Sequence, residues 1–226
     1  MMKNKKKIRI AFWIIVLSGS ALLGFITEAL KISNSTRNVL LIIWLGVIAI
    51  VSVAIDMLWL QAFNRQLKSL QPILLKEHDP DRYIQEISAL LEGKKSPHLR
   101  CALLINLSAA YCEKKEYDTA KTLLMQINPK KITGINKLIF WANLAYIHFY
   151  LNENEQACTI LTQQQKEFSK FAEHPHLGGL IAILSVFKKL SEGETSEANT
   201  LLEKVRARWE NEQNAPDFDY LMQRCS

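Results

Sequence analysis

The sequence predicts an all-α protein in two parts, a transmembrane helical hairpin followed by a water-soluble domain of helical hairpins. Three observations predict it: apolar runs over residues 10–26 and 39–60, alternation of apolar and charged residues at helical spacing after Asp79, and no competing strand pattern along the 226 residues. The expected divisions are a membrane anchor over 1–63, a juxtamembrane connector over 64–79 and a helical domain over 80–226.

The anchor follows from lengths. At about 1.5 Å per residue, the first run approaches a hydrocarbon core of roughly 30 Å and the second covers it comfortably. Lys3, Lys5, Lys6, Lys7 and Arg9 precede the first span, Lys31 and Arg37 sit in the polar link over 28–38, and Arg65, Lys68 and Lys76 follow the second. Basic residues favour the cytoplasmic side, so the expected location is the cell membrane, multi-pass, with both termini cytoplasmic. Trp13, Trp44 and Trp59 lie towards the ends of the spans, where indole rings favour the interface. The basic start and Ser18-Gly19-Ser20-Ala21 also resemble a signal peptide with a cleavage site, but a short link leads straight into a second span, so a hairpin is the simpler account. Ser20 and Gly24 on the first helix, with Gly46 and Ala49 on the second, predict the seam between them. Glu28 and Asp56 fall at opposite ends of the hairpin, too far apart to share a proton, so each is expected to reach its nearer interface or cap a partner helix, with Asp56 as a contact for another membrane protein the alternative.

Charge excludes one function class. Of 28 basic and 22 acidic residues, ten basic and four acidic fall within residues 1–79, leaving 18 of each in the rest. The positive excess belongs to the membrane flanks, so no nucleic-acid partner is expected.

Beyond the second span, Pro72 is expected to interrupt the helix. Asp79-Pro80-Asp81 and Ser96-Pro97 read as an N-cap followed by proline at the first helical position. After a first stripe of Ile84, Ile87, Leu90 and Leu91, helices are expected at about 97–113, 116–127, 135–151, 153–173, 177–191 and 195–212. Short links join antiparallel neighbours, which makes a stack of hairpins.

Leu104, Leu107, Ser108, Tyr111, Tyr117, Ala120 and Leu124 in the first hairpin, and Trp141, Leu144, Ala145, Ala157 and Leu161 in the second, fall at the large, Leu, small, Tyr, Tyr, Ala and large spacings of a tetratricopeptide repeat. Over residues 97–208 the chain therefore resembles the tetratricopeptide-repeat family, and the resemblance implies an α-solenoid of about three hairpins. Its departures are His148 and Asn154 in place of aromatic residues, and Ala120, Ala157 and Ala198 spaced 37 and 41 apart instead of about 34. Ala120 is expected at a close helix crossing and Lys121 in solvent.

No catalytic, cofactor-binding or metal-binding residue is expected. Cys101, Cys112, Cys158 and Cys225 form no CxxC pair, and the first two, about 16 Å apart along one helix, cannot join. His174 and His176 have no accompanying carboxylate or thiol cluster. The chain shows no Walker loop, GxGxxG or HExxH motif, so no enzyme is expected.

The family resemblance implies instead a groove lined by the first helix of each hairpin, with Asn106, Asn143, Tyr146 and Tyr150 at partner-facing positions beside Ala109 and Ala142. Ala and Ile replace the cations of the family's carboxylate clamp, so capture of a C-terminal carboxylate is not expected. Two functions follow. One is a membrane-tethered, cytoplasm-facing adaptor binding a protein or peptide, and the other is an accessory subunit of a membrane complex recognised through the spans.

Overall fold

The computed structural model describes residues 3–93 and 95–225. Eleven α-helices account for them, with no strand among the described residues: α1 (Lys3–Ala29), α2 (Asn34–Leu75), α3 (Pro80–Leu91), α4 (Pro97–Glu113), α5 (Tyr117–Met125), α6 (Ile135–Tyr150), α7 (Asn154–Gln163), α8 (Gln165–Lys170), α9 (Gly178–Ser191), α10 (Thr195–Trp209) and α11 (Ala215–Cys225). A 3-10 turn, Pro129–Lys131, lies between α5 and α6. The chain divides into two compact units, one up to Lys68 and one from Ser69 onward.

In the first unit, α1 and α2 are long and apolar enough to cross a membrane. None of the most apolar stretch of α2 is buried within the protein, and Ile42, Leu45, Ile50, Val53 and Leu58 stand fully outward. The helices meet where the Trp44 ring lies over Gly19: a Cβ there would fall 2.6 Å from Trp44 Cζ2. The Trp44 indole N–H donates to Ser20 Oγ at 2.9 Å, and the Ser20 hydroxyl donates to the Val16 carbonyl at 2.8 Å. The seam therefore runs through Gly19 and the expected Ser20, whereas a Cβ at the equally expected Gly24 or Gly46 would meet nothing within 4 Å. A matching depth of small residues was a poor guide because the indole, not the glycines, sets which faces meet.

Pro72 lies inside α2 rather than ending it. The proline removes one backbone donor, and the helix stops three residues later, so little ladder remains to be lost. The chain then reverses at His78, whose φ is 51°.

The second unit is built from helix pairs. α3 packs on α4, α4 on α5, α6 on α7 and α9 on α10, while α4, α6 and α9 also touch in succession and α5 and α7 touch the helix that follows each pair. The starts obey the sequence signals: Asp79 Oδ1 accepts from the Arg82 amide at 2.9 Å, and Ser96 Oγ from the Leu99 amide at 3.4 Å.

Three hairpins share one turn. Lys115, Asn152 and Gly193 adopt left-handed φ of 60°, 59° and 79°, each five residues before Ala120, Ala157 and Ala198. The amides of Glu116, Glu153 and Glu194 reach back to the carbonyls of Tyr111, His148 and Lys189, and the preceding amides to those of Cys112, Phe149 and Leu190. This pair of bonds is the Schellman termination, which satisfies otherwise orphaned carbonyls at the helix end. Ala120, Ala157 and Ala198, with Ser108 and Ala145 opposite, are completely buried. The uneven spacing of the alanines arises at the other end of the pairs, where a 3-10 turn follows α5 and the short α8 follows α7.

His148, at an expected aromatic position, is buried and hydrogen-bonds through Nδ1 to the Glu153 carboxylate. Lys121 Nζ donates to both oxygens of the same carboxylate, at 2.7 and 2.6 Å. Lys121 is thus half-buried in a charged cluster joining α5 to the α6–α7 turn, not a free solvent residue.

Candidate functional site

The α4, α6 and α9 face carries the expected partner-facing residues, and the structure divides them. The Asn106 carboxamide is engaged inside the unit: its oxygen accepts from the Tyr83 hydroxyl at 2.8 Å and its nitrogen donates to the Ala102 carbonyl at 2.9 Å. Asn143 is half-buried, and its amide has no hydrogen-bond partner among the described residues. Tyr146 and Tyr150, three and seven residues further along α6, lie on its same side.

Both tyrosines are half-covered by α11, a helix outside the range 195–212 that sequence spacing indicated. α11 packs on α9 and α10 and buries Phe218 and Leu221 completely. At its start, one oxygen of Asp217 accepts from the Tyr146 hydroxyl at 2.7 Å and from the Tyr150 hydroxyl. The Tyr150 ring stacks between Tyr117, at 4.7 Å between centroids, and Tyr220 of α11, at 5.1 Å. Phe187 of α9 meets Tyr150 edge-on at 5.5 Å. Four tyrosines and a phenylalanine from four helices thus form one cluster, and the hydroxyls of two of them hold a single carboxylate.

Electrostatics follow from that cluster. Burial pushes the Asp217 carboxyl above its ordinary value, and the hydroxyls of Tyr150 and Tyr146 pull in the opposite direction without cancelling it. The same burial, with the Asp217 charge adding to it, raises the phenols of Tyr146 and Tyr150. Glu113, at the end of α4, is raised by its crowded surroundings and by the Asp217 charge, against the His78 charge and a hydrogen bond from Gln213. The chain just before α11 therefore reaches the end of α4 as well.

The sign of the linkage yields a test. A carboxyl raised in the folded state binds its proton more tightly there than when unfolded, so its ionisation opposes folding as pH rises through the window above the ordinary value of 3.8. The opposition grows as pH rises from that ordinary value through the raised one. Asp217→Asn keeps an oxygen that accepts from the tyrosines and removes the charge. It is expected to melt at or above the wild-type temperature at pH 7 and to flatten the pH dependence between mildly acidic and neutral solution. Asp217→Ala, which strands two half-buried hydroxyls, is expected to lose about 1–3 kcal/mol. A thermal melt of Asp217→Asn that falls as far as that of Asp217→Ala would show that the charge itself holds α11.

Other clusters bring less together. A hollow of about 390 Å³ lined by His148, Glu155, Gln156, Thr159 and Ile160 opens to solvent. Among the described residues no group of three or more His, Cys, Asp or Glu side chains could hold a metal ion. His174 and His176 face one another with ring centroids 5.9 Å apart. All four cysteines are free, Cys101 and Cys225 buried and the other two half-buried.

Comparison with known proteins finds no matching family model, no matching curated protein and no matching solved structure. What the chain shows is an all-helical protein with two long apolar N-terminal helices and a helical unit whose tyrosine face holds its own last helix.

Proposed function

We propose that this chain is a membrane-tethered adaptor, anchored by α1 and α2 with both termini cytoplasmic, whose second unit is a tetratricopeptide-like solenoid of three hairpins. Its α4, α6 and α9 face binds a helical segment of a partner protein that presents a carboxylate to Tyr146 and Tyr150. The observation that carries this reading is the seating of α11, because the chain itself offers that face a short helix with an acid at its start. The Asn143 amide, open on the same side of α6, extends the face towards a longer ligand. The shared Schellman turn and the fully buried alanines support the repeat reading, since each repeat needs a tight reversal and a close helix crossing. The membrane anchor is supported by the outward apolar surface of both helices, which needs a non-aqueous surrounding.

The test uses the chain ended after Glu210, in nanodiscs, with a labelled peptide of residues 211–225 as probe. Saturable binding that weakens when the peptide carries Asp217→Ala is expected, as is competition by the same peptide against partners cross-linked in native membranes. A helical, folded truncated chain that ignores the peptide would end the proposal. Should truncation unfold the unit, full-length Asp217→Ala serves instead, because it frees both tyrosine hydroxyls for a partner; increased cross-linking is expected, and unchanged cross-linking counts against the proposal.

Orientation has its own test. Ser35 is exposed in the first turn of α2. Ser35→Cys is expected to react with an impermeant maleimide in intact cells, whereas native Cys225 is buried and silent. Labelling of the new cysteine only after permeabilisation would reverse the topology.

A second reading has a specific observation behind it. Gly24 and Gly46 meet nothing within 4 Å, so small residues stand on open faces of both apolar helices, where another membrane helix can approach closely. On that reading the spans, with Asp56, recognise a membrane complex. Replacing α1 and residues 34–60 with unrelated spans would then abolish partner recovery that the groove reading leaves intact.

A further inference from the structure

From Pro80 onward the chain is neutral in sum but not in distribution. No carboxylate occurs from Gly93 to Cys112 or from Thr119 to Asn152. Those stretches supply one end of the unit: the start of α4, the end of α5, the α5–α6 link and the start of α6. The Arg100 guanidinium donates to Gln126 Oε1 at 3.3 Å, which places the start of α4 beside the end of α5. The charges of both Arg100 and Lys131 act on the Cys101 thiol, which places the link there too. At the opposite end stand Glu113, Glu116, Asp118, Glu153 and Glu155. Near that end Lys114 pairs with Asp81 and Glu116, and Lys121 with Glu153. By contrast Arg100, Lys130, Lys131 and Lys137 have no ion-pair partner among the described residues.

A second, independent feature coincides with that cationic end. Four large apolar side chains of this unit are exposed among its described residues, and two of them, Met125 at 67% and Ile135 at 43%, flank the α5–α6 link. Unpaired cations surrounding outward apolar side chains match the chemistry of an anionic lipid surface, whose headgroups take the charges and whose interfacial layer takes the apolar tips. A soluble polyanion would satisfy the lysines and leave Met125 and Ile135 in water.

We propose that this end of the helical unit docks on an anionic lipid surface, with Arg100, Lys130, Lys131 and Lys137 at the headgroup phosphates and Met125 and Ile135 entering the headgroup layer. The contact rests on the membrane anchoring proposed above and not on the groove. It supplies what the spans alone lack, a dependence of the unit's position on lipid charge.

Hydrogen exchange on the full chain in nanodiscs tests it, comparing phosphatidylcholine with a mixture containing roughly one third phosphatidylglycerol. Each cation at an anionic surface is worth about fivefold in partitioning, so exchange over residues 126–137 is expected to slow at least about fivefold in the anionic discs. Residues 152–156, at the acidic end, are expected to exchange equally in both. High salt, or Lys130→Glu/Lys131→Glu/Lys137→Glu, is expected to abolish the difference without changing the helical spectrum. Equal exchange over 126–137 in the two lipids overturns the proposal. So does protection that appears only when RNA or polyglutamate is added to neutral discs, which would assign the end to a soluble polyanion. The groove is read by peptide binding and this end by lipid-dependent exchange, so either can fail alone.

Discussion

Ala120→Trp is expected to unfold the second unit. Ala120 is completely buried in the first turns of α5, where that helix packs on both α4 and α6. Its neighbours cannot give way easily, because the Schellman turn at Lys115 fixes where α5 leaves α4, and the Lys121–Glu153–His148 cluster ties α5 to the next hairpin. Overpacking by a few methylenes typically costs about 1–3 kcal/mol, and an indole in place of a methyl group exceeds that range while a domain holds only about 5–15 kcal/mol in all. Loss of the cooperative thermal transition in the full chain in detergent checks it. The exposed Thr122, on the same helix, provides the control, since Thr122→Ala is expected to melt within about 0.5 kcal/mol of wild type. Lys121→Ala is unsuitable for that purpose because it leaves a carboxylate short of its cation. A wild-type melt of Ala120→Trp would mean that α4 and α5 do not cross as closely as their packing requires.

Most helices of this fold are legible in single residues. Asp79, Ser96 and the prolines after them mark helix starts by a mechanism that needs no tertiary context, namely an oxygen placed to accept an orphaned amide. The tight turns at Lys115, Asn152 and Gly193 are legible through the small residues that follow them. What sequence spacing missed depends on long-range packing. Ala215-Pro216-Asp217 resembles the start at Pro80, and Phe218, Leu221 and Cys225 form a stripe, but eleven residues carry too few turns for a stripe to be decisive. Without α11, Tyr146 and Tyr150 read as an open face; with it they are walls around Asp217. Gly24 and Gly46 show the same dependence in the apolar helices, where composition predicts that faces meet but only the Trp44 ring decides which.

The tyrosine pair distinguishes a packed wall from a binding surface. Tyr146→Ala/Tyr150→Ala removes two rings whose centroids lie 4.7 Å apart, one of them stacked on both sides. Truncating a core aromatic costs about 3–5 kcal/mol, a ceiling for these half-buried rings, and touching residues do not add independently, so the double change is expected to lower the melting transition without reaching the sum of the single effects. Binding measured on that variant would report the fold. Tyr146→Phe/Tyr150→Phe keeps both rings and deletes the two hydroxyls that reach Asp217. A half-buried carboxylate deprived of its donors is costly, and the cost is relieved if α11 lifts and Asp217 regains water. The phenylalanine pair is therefore expected to retain the helical spectrum and slow exchange in α4 to α7 while exchange over residues 215–225 accelerates. A double-alanine variant that melts like wild type would show that these rings are not packed as the structure has them. A phenylalanine pair with unchanged exchange in α11 would show that Phe218 and Leu221, rather than the Asp217 hydrogen bonds, hold the last helix in the groove.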